Sequence, residues 1–219
     1  MKRLELSKLV IRIVAAWLLL STAVLLYSRP IIDFYLPFLS VITDTVSDPY
    51  TPTLEYQDLP RGDQLLMTAY VTQPIYAHSA LTVNIGAEMT AGLDVLHIVV
   101  PLVILFTALC AWPIHRWRER VALVALGLPA SFAVMGLTVP FLLTGKIEMM
   151  LNDYVVNAGE DRSIPLQVYW MIFCESGANW LIPLVAAAFC ALRLHPALDC
   201  IHGVTLRLKT SRLKITRAP

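Results

Sequence analysis

The chain has 219 residues, 57% of them hydrophobic and only 15% charged, where soluble domains carry about 25% charged residues. Together with a mean hydropathy of +0.65, this argues against an ordinary soluble enzyme domain and for an integral membrane protein. The formal net charge of +1 hides an asymmetry. Cations gather at the N-terminus, in one short turn and in the C-terminal tail, while acids gather in the other connections.

Met1–Lys8 is a short basic start, with Lys2, Arg3 and Lys8. Leu9–Tyr27 follows as an apolar segment, and Arg12 near its beginning can snorkel back to the interface. No small-x-small cleavage pattern follows, so the expectation is an uncleaved helix with its N-terminus in the cytoplasm. Ile31–Val46 is apolar too, but Pro30 and Pro37 punctuate it and Asp33 and Asp44 interrupt it. It reads as a helix lying in the outer interface.

Ser47–Gly92 is polar enough for a small extramembrane domain. Gln64–Thr72 and Ser79–Ile85 are rich in β-branched and aromatic residues, and the spacing predicts that they pair as a looped hairpin. Thr53–Gln57 offers a third strand. Leu66, Ala69, Val71, Leu81 and Val83 are the expected apolar face of this sheet.

Val95–Trp112 and Val121–Leu143 contain no Asp, Glu, Lys or Arg. Each approaches the ~20 residues a helix needs to cross a ~30 Å hydrocarbon core. Their joint, Pro113–Arg120, carries Arg116, Arg118 and Arg120 with Trp117. Basic short loops stay cytoplasmic and Trp prefers the headgroup level, so this is a transmembrane hairpin with a cytoplasmic turn. Thr144–Gln167 is a second outer connection, where Ile147, Met150, Leu151, Tyr154 and Val155 recur at helical spacing and suggest a short surface helix. A last apolar segment, Val168–Leu192, is interrupted by Glu175, Asn179 and Pro183. The tail is basic from Arg193 through Arg207, Lys209, Arg212, Lys214 and Arg217.

The expected fold is therefore a mainly α membrane protein, with four transmembrane helices and a small β-rich extracytoplasmic domain between helices 1 and 2. Its parts are an N-terminal transmembrane helix (1–30), an interfacial helix and outer domain (31–93), three transmembrane helices (94–192) and a basic cytoplasmic tail (193–219). On this topology the outer parts hold only Arg29, Arg61, Lys146 and Arg162 among the cations, and both termini face the cytoplasm.

Few groups suggest chemistry. Glu175 and Asn179 are four residues apart, which puts both on one face of a regular helix. An ionisable residue within a span is costly and usually faces protein or water, so the pair is a candidate partner-docking or proton-handling site. His78, Glu88, Asp94 and His97 form a weaker outer set. Their spacing matches no metal motif, and Asp94 is better placed to cap a helix. No metal or cofactor is expected. Cys110, Cys174, Cys190 and Cys200 show no CxxC and suggest no disulfide framework. Neither a phosphate-binding glycine loop nor a G-x-S-x-G elbow occurs. The basic tail needs only anionic lipid as its partner, not nucleic acid.

The layout resembles the exosortase-associated accessory membrane proteins, which accompany bacterial envelope-sorting enzymes. The features that carry the resemblance are the Pro-broken apolar stretch Tyr27–Val46, the β-rich outer segment, the span containing Pro101, the basic turn His115–Arg120 and the Trp180–Leu184 run. It implies a non-enzymatic role in the bacterial inner membrane beside a protein partner, which would be an exosortase, and no catalytic residues. Two other expectations stand beside it: a membrane-embedded enzyme or transport subunit using Glu175, and a lipid or small-ligand sensor with a pocket between the Ile31–Val46 helix and the sheet.

Overall fold

The structure, a computed structural model, describes residues 3–48, 50–59, 62–77, 80–114, 116–157 and 162–194. Helix α1 (Arg3–Val46) leads into strands β1 (Tyr50–Gln57), β2 (Gln64–Val71), β3 (Ile75–Ala77), β4 (Ala80–Val83) and β5 (Glu88–Asp94). Helices α2 (Val95–Ala111), α3 (Trp117–Asn157) and α4 (Leu166–Leu194) follow. The protein is thus mostly helical with a small sheet. Among the described residues three helices are long and apolar enough to cross a membrane, within Leu9–Val46, Trp117–Asn157 and Leu166–Leu194. The fourth expected span, α2, has only 17 residues, about 25 Å at 1.5 Å per residue.

Helix α1 runs through both N-terminal segments as one element, kinked at Tyr27 (φ −124°, ψ 26°). The cause lies three residues on. Pro30 has no N–H to donate, and its ring crowds the carbonyl four residues back. Beyond the kink Ile32, Tyr35, Leu39 and Thr43 are buried, at spacings of three and four that put them on one face. Ile31–Val46 is helical as expected, but it continues α1 and packs this face into the main core.

Helix α3 has 41 residues and is about 60 Å long, twice a hydrocarbon core. The separate surface helix expected after Thr144 does not exist. The chain continues without a break, and Ile147, Leu151 and Val155 are buried. Pro129 and Pro140 are tolerated inside α3, and the buried Thr144 Oγ1 is satisfied by donating to the Pro140 carbonyl one turn back at 2.7 Å, as helical threonines commonly do. Glycines mark the crossings of α3, as small residues do where membrane helices approach closely. A Cβ on Gly136 would come within 2.8 Å of Ile42 on α1, and one on Gly145 within 2.6 Å of Met171 on α4.

The sheet is antiparallel, in the order β1-β2-β5. The expected third strand is present as β1, one of the two edges. The expected hairpin of Gln64–Thr72 with Ser79–Ile85 is not. β4 pairs with β3 instead, and β2 takes β5 as its second neighbour, with Gln64 opposite Asp94 and Tyr70 opposite Glu88. Alternation along β2 buries Leu65, Met67, Ala69 and Val71. Leu66, expected on the buried face, lies on the other one, because it is one residue out of phase with Ala69 and Val71. The side chain of Leu81 lies outside the described residues. The sheet's inward residues join Ile32, Leu39, Ile98, Leu142 and Ile147 in one continuous core.

Candidate functional site

Three polar clusters stand out against this apolar frame. The first is where α3 rises past the sheet. Glu148 falls on the same helical face as Thr144, Ile147 and Leu151 and is 5% exposed. Its Oε1 accepts a hydrogen bond from the Tyr50 hydroxyl at 2.7 Å, and its Oε2 stands 2.8 Å from the Arg162 guanidinium. β1, α3 and the connection between α3 and α4 therefore meet on one carboxylate. Burial raises the Tyr50 phenol well above its ordinary pKa, and the carboxylate it donates to raises it further, with Arg162 opposing. Tyr50 is thus held as a proton donor. The cluster binds three segments together; its carboxylate already has a donor on one oxygen and a cation on the other.

A second cluster lies at the other end of the sheet, beside the kink in α1. The Tyr56 hydroxyl donates to Asp63, Gln64 donates to Asp94 at 3.0 Å, and the Arg29 guanidinium sits over the Tyr56 ring at 5.5 Å. Burial, reinforced by the Asp63 carboxylate, pushes the Tyr56 phenol up to about 12. Asp94 stands at the N-cap of α2 but makes no side-chain cap. Its carboxylate is already engaged by Gln64.

The third cluster contains the intramembrane candidates and departs from expectation. Residues Cys174–Ala178 form a widened, π-like turn that kinks α4 at Gly177, whose φ of +127° a side chain would strain. The widened turn separates two residues that a regular helix would put together. Asn179 is buried, 4% exposed, whereas Glu175 is exposed. Glu175 does not face the bundle, and among the described residues it has no hydrogen-bond partner. Asn179 Nδ2 instead meets His97 Nε2 on α2 at 3.1 Å, while its Oδ1 is buried without a hydrogen bond. π-turns of this kind recur at functional sites.

The structure thus joins Asn179 to His97 and Asp94 to Gln64, and leaves Glu88 exposed at the start of β5. His78 lies outside the described residues. Among those described, no group of three or more His, Cys, Asp or Glu side chains is placed to hold a metal ion. Sequence reasoning passed over Glu148, Tyr50 and Arg162. A signal existed: Glu148 is one and four residues from Ile147 and Thr144, on the apolar stripe. Comparison with protein-family models, curated proteins and solved structures found no match.

Proposed function

We propose that this chain is a non-enzymatic accessory or scaffold protein of a bacterial inner membrane, with four spans and both termini in the cytoplasm. The observation that carries the proposal is the joining of the sheet to the helices. One core runs through both, α3 extends from the basic turn to the sheet as one helix, and Glu148 ties that helix to β1 and to Arg162. A sheet so held keeps a fixed height and orientation above a bilayer. That suits a platform which positions a second protein.

On this reading α2 completes the fourth span. Its 17 residues are short, and a span shorter than the hydrocarbon core is accommodated by local thinning at modest cost. The partner is an integral protein of the same membrane. Envelope protein sorting of the exosortase type is the setting that the layout suggests.

The outward positions of β1, Thr51, Thr53 and Glu55, are exposed and are the natural contact points. Photo-crosslinkers at Thr53 and Glu55 in living cells, followed by mild-detergent purification, test this. The expected result is one stoichiometric membrane-protein adduct; a clean uncrosslinked monomer from both positions contradicts it.

A further inference from the structure

Helices α3 and α4 do not close on each other along their whole length. Between them lies a groove of about 590 Å³. Its walls include Ala130 and Ala133 from α3 and Leu181, Val185 and Phe189 from α4, and Arg193 stands at one end. The small side chains of α3 make the groove concave, while exposed Leu181, Val185 and Phe189 form a deep apolar wall. Cys190 lies 3.8 Å from the Leu126 carbonyl, so the end of α4 sits beside the beginning of α3. That is the end of the bundle marked by Trp117, Arg118 and Arg120, where an interface anchor and cations belong.

The Arg193 guanidinium stacks over the Phe189 ring at 5.0 Å. Among the described residues no carboxylate pairs with it. An apolar slot ending in one unneutralised cation at headgroup depth is complementary to an acyl chain ending in a negative phosphate. A zwitterionic lipid would offer its phosphate with a cation attached.

We infer that the α3–α4 groove is a binding site for an anionic phospholipid of the cytoplasmic leaflet, with one acyl chain along Ala133 and Val185 and the phosphate on Arg193. The inference rests on the membrane reading above. It adds a ligand and a site that the platform role does not require.

The test uses the full chain, reconstituted into vesicles of phosphatidylcholine and phosphatidylglycerol in equal amounts. The protein is then extracted in mild detergent and weighed intact with its retained lipid. The wild type should retain phosphatidylglycerol in preference. Arg193→Gln should lower the preference about fivefold, the weight of one juxtamembrane cation. Ala133→Phe keeps every cation but fills the groove, and should abolish retention of either lipid. Val185→Trp fills it from the opposite wall and should do the same, so the test survives if one variant misfolds.

Retention unchanged by both filling variants would overturn the site and assign the preference to the basic tail. A dimer mass lost on filling, with no phospholipid retained by the wild type, would also overturn it and give the groove to a second copy. A chain that stays out of the vesicles overturns the membrane reading and this inference together. An inserted chain without lipid preference overturns only the inference.

Discussion

Between Leu9 and Pro30 helix α1 has no buried residue, and Ile11, Leu19, Leu25 and Leu26 are each more than 60% exposed. Between Ile31 and Val46 the same helix buries Ile32 and Leu39 completely, seats Tyr35 against Phe132 at 4.8 Å between ring centroids, and hydrogen-bonds Tyr35 to Ser131 at 2.5 Å. The more apolar half is the bare one. Hydropathy measures how badly a segment wants to leave water, and lipid satisfies that as well as protein does. What distinguishes the halves is pattern. The first is apolar around its circumference, as a lipid-facing helix is. The second mixes Asp33, Ser40 and Asp44 with a stripe at positions 32, 35, 39 and 43, as a helix packed on one side is.

The sharpest way to break the comparison is on the packed side, four residues after α1 ends, where Tyr50 meets Glu148. Glu148→Ala leaves Arg162 without its counter-charge and Tyr50 without its acceptor. It should cost about 3–5 kcal/mol, read as a loss of unfolding free energy in detergent. A loss below about 1 kcal/mol, the scale of an exposed pair, would show the cluster to be solvated.

Next in size is a matched pair within α1. Leu39→Ala should cost about 2–5 kcal/mol, the range for an emptied core leucine, while Leu19→Ala should stay within about 0.5 kcal/mol. Equal losses would erase the distinction. Smaller again, Tyr35→Phe should cost about 1 kcal/mol. The ring contacts persist in that variant, and Ser131 keeps its bond to the Leu128 carbonyl.

The smallest effect belongs to the joint between the halves. Tyr56, beside Ser28 and Arg29, has its pKa raised from 10.0 to about 12 by burial and by Asp63. The folded state therefore favours the protonated phenol. Its contribution to stability is complete below pH 10 and is lost as the pH rises through about 12. Tyr50 acts in the same direction. Tyr56→Phe should make the alkaline decline in stability shallower without removing it, as followed by circular dichroism against pH. A steeper decline would contradict the assignment.

Much of this was legible in the residues. Long charge-free runs marked α2 and the lower part of α3, and β-branched and aromatic composition marked β2. The failures have physical causes. β5 (EMTAGLD) has one β-branched residue and a glycine, so propensity hides it; only its pairing with β2 makes it a strand. The upper part of α3 looked like a new helix because Gly145 and Lys146 interrupt the apolar run. In the structure Gly145 lets α4 approach and Lys146 donates to the Gly92 carbonyl at 2.9 Å. Glu175 and Asn179 were put on one face because a regular helix was assumed, and no residue pattern announces a π-turn. Glu148 was missed because its partners are 98 residues before it and 14 after, a separation that periodicity does not span.

The central claim is that α1 changes surroundings at Tyr27, from lipid to protein, and one measurement addresses it directly. Single cysteines are placed at each position from Leu9 to Val46, with the native cysteines replaced. Each is spin-labelled in vesicles, and its collision rate with a lipid-soluble relaxant is recorded. The account predicts high rates from Leu9 to Tyr27, lowered only partly on the side of Leu20, Ala23 and Val24 that faces Val103 and Phe106 of α2. Beyond Pro30 the rates should oscillate with a period of three to four residues, with minima at Ile32, Tyr35, Leu39 and Thr43. Minima in the first half as deep as those in the second, or uniform rates in the second, would contradict it.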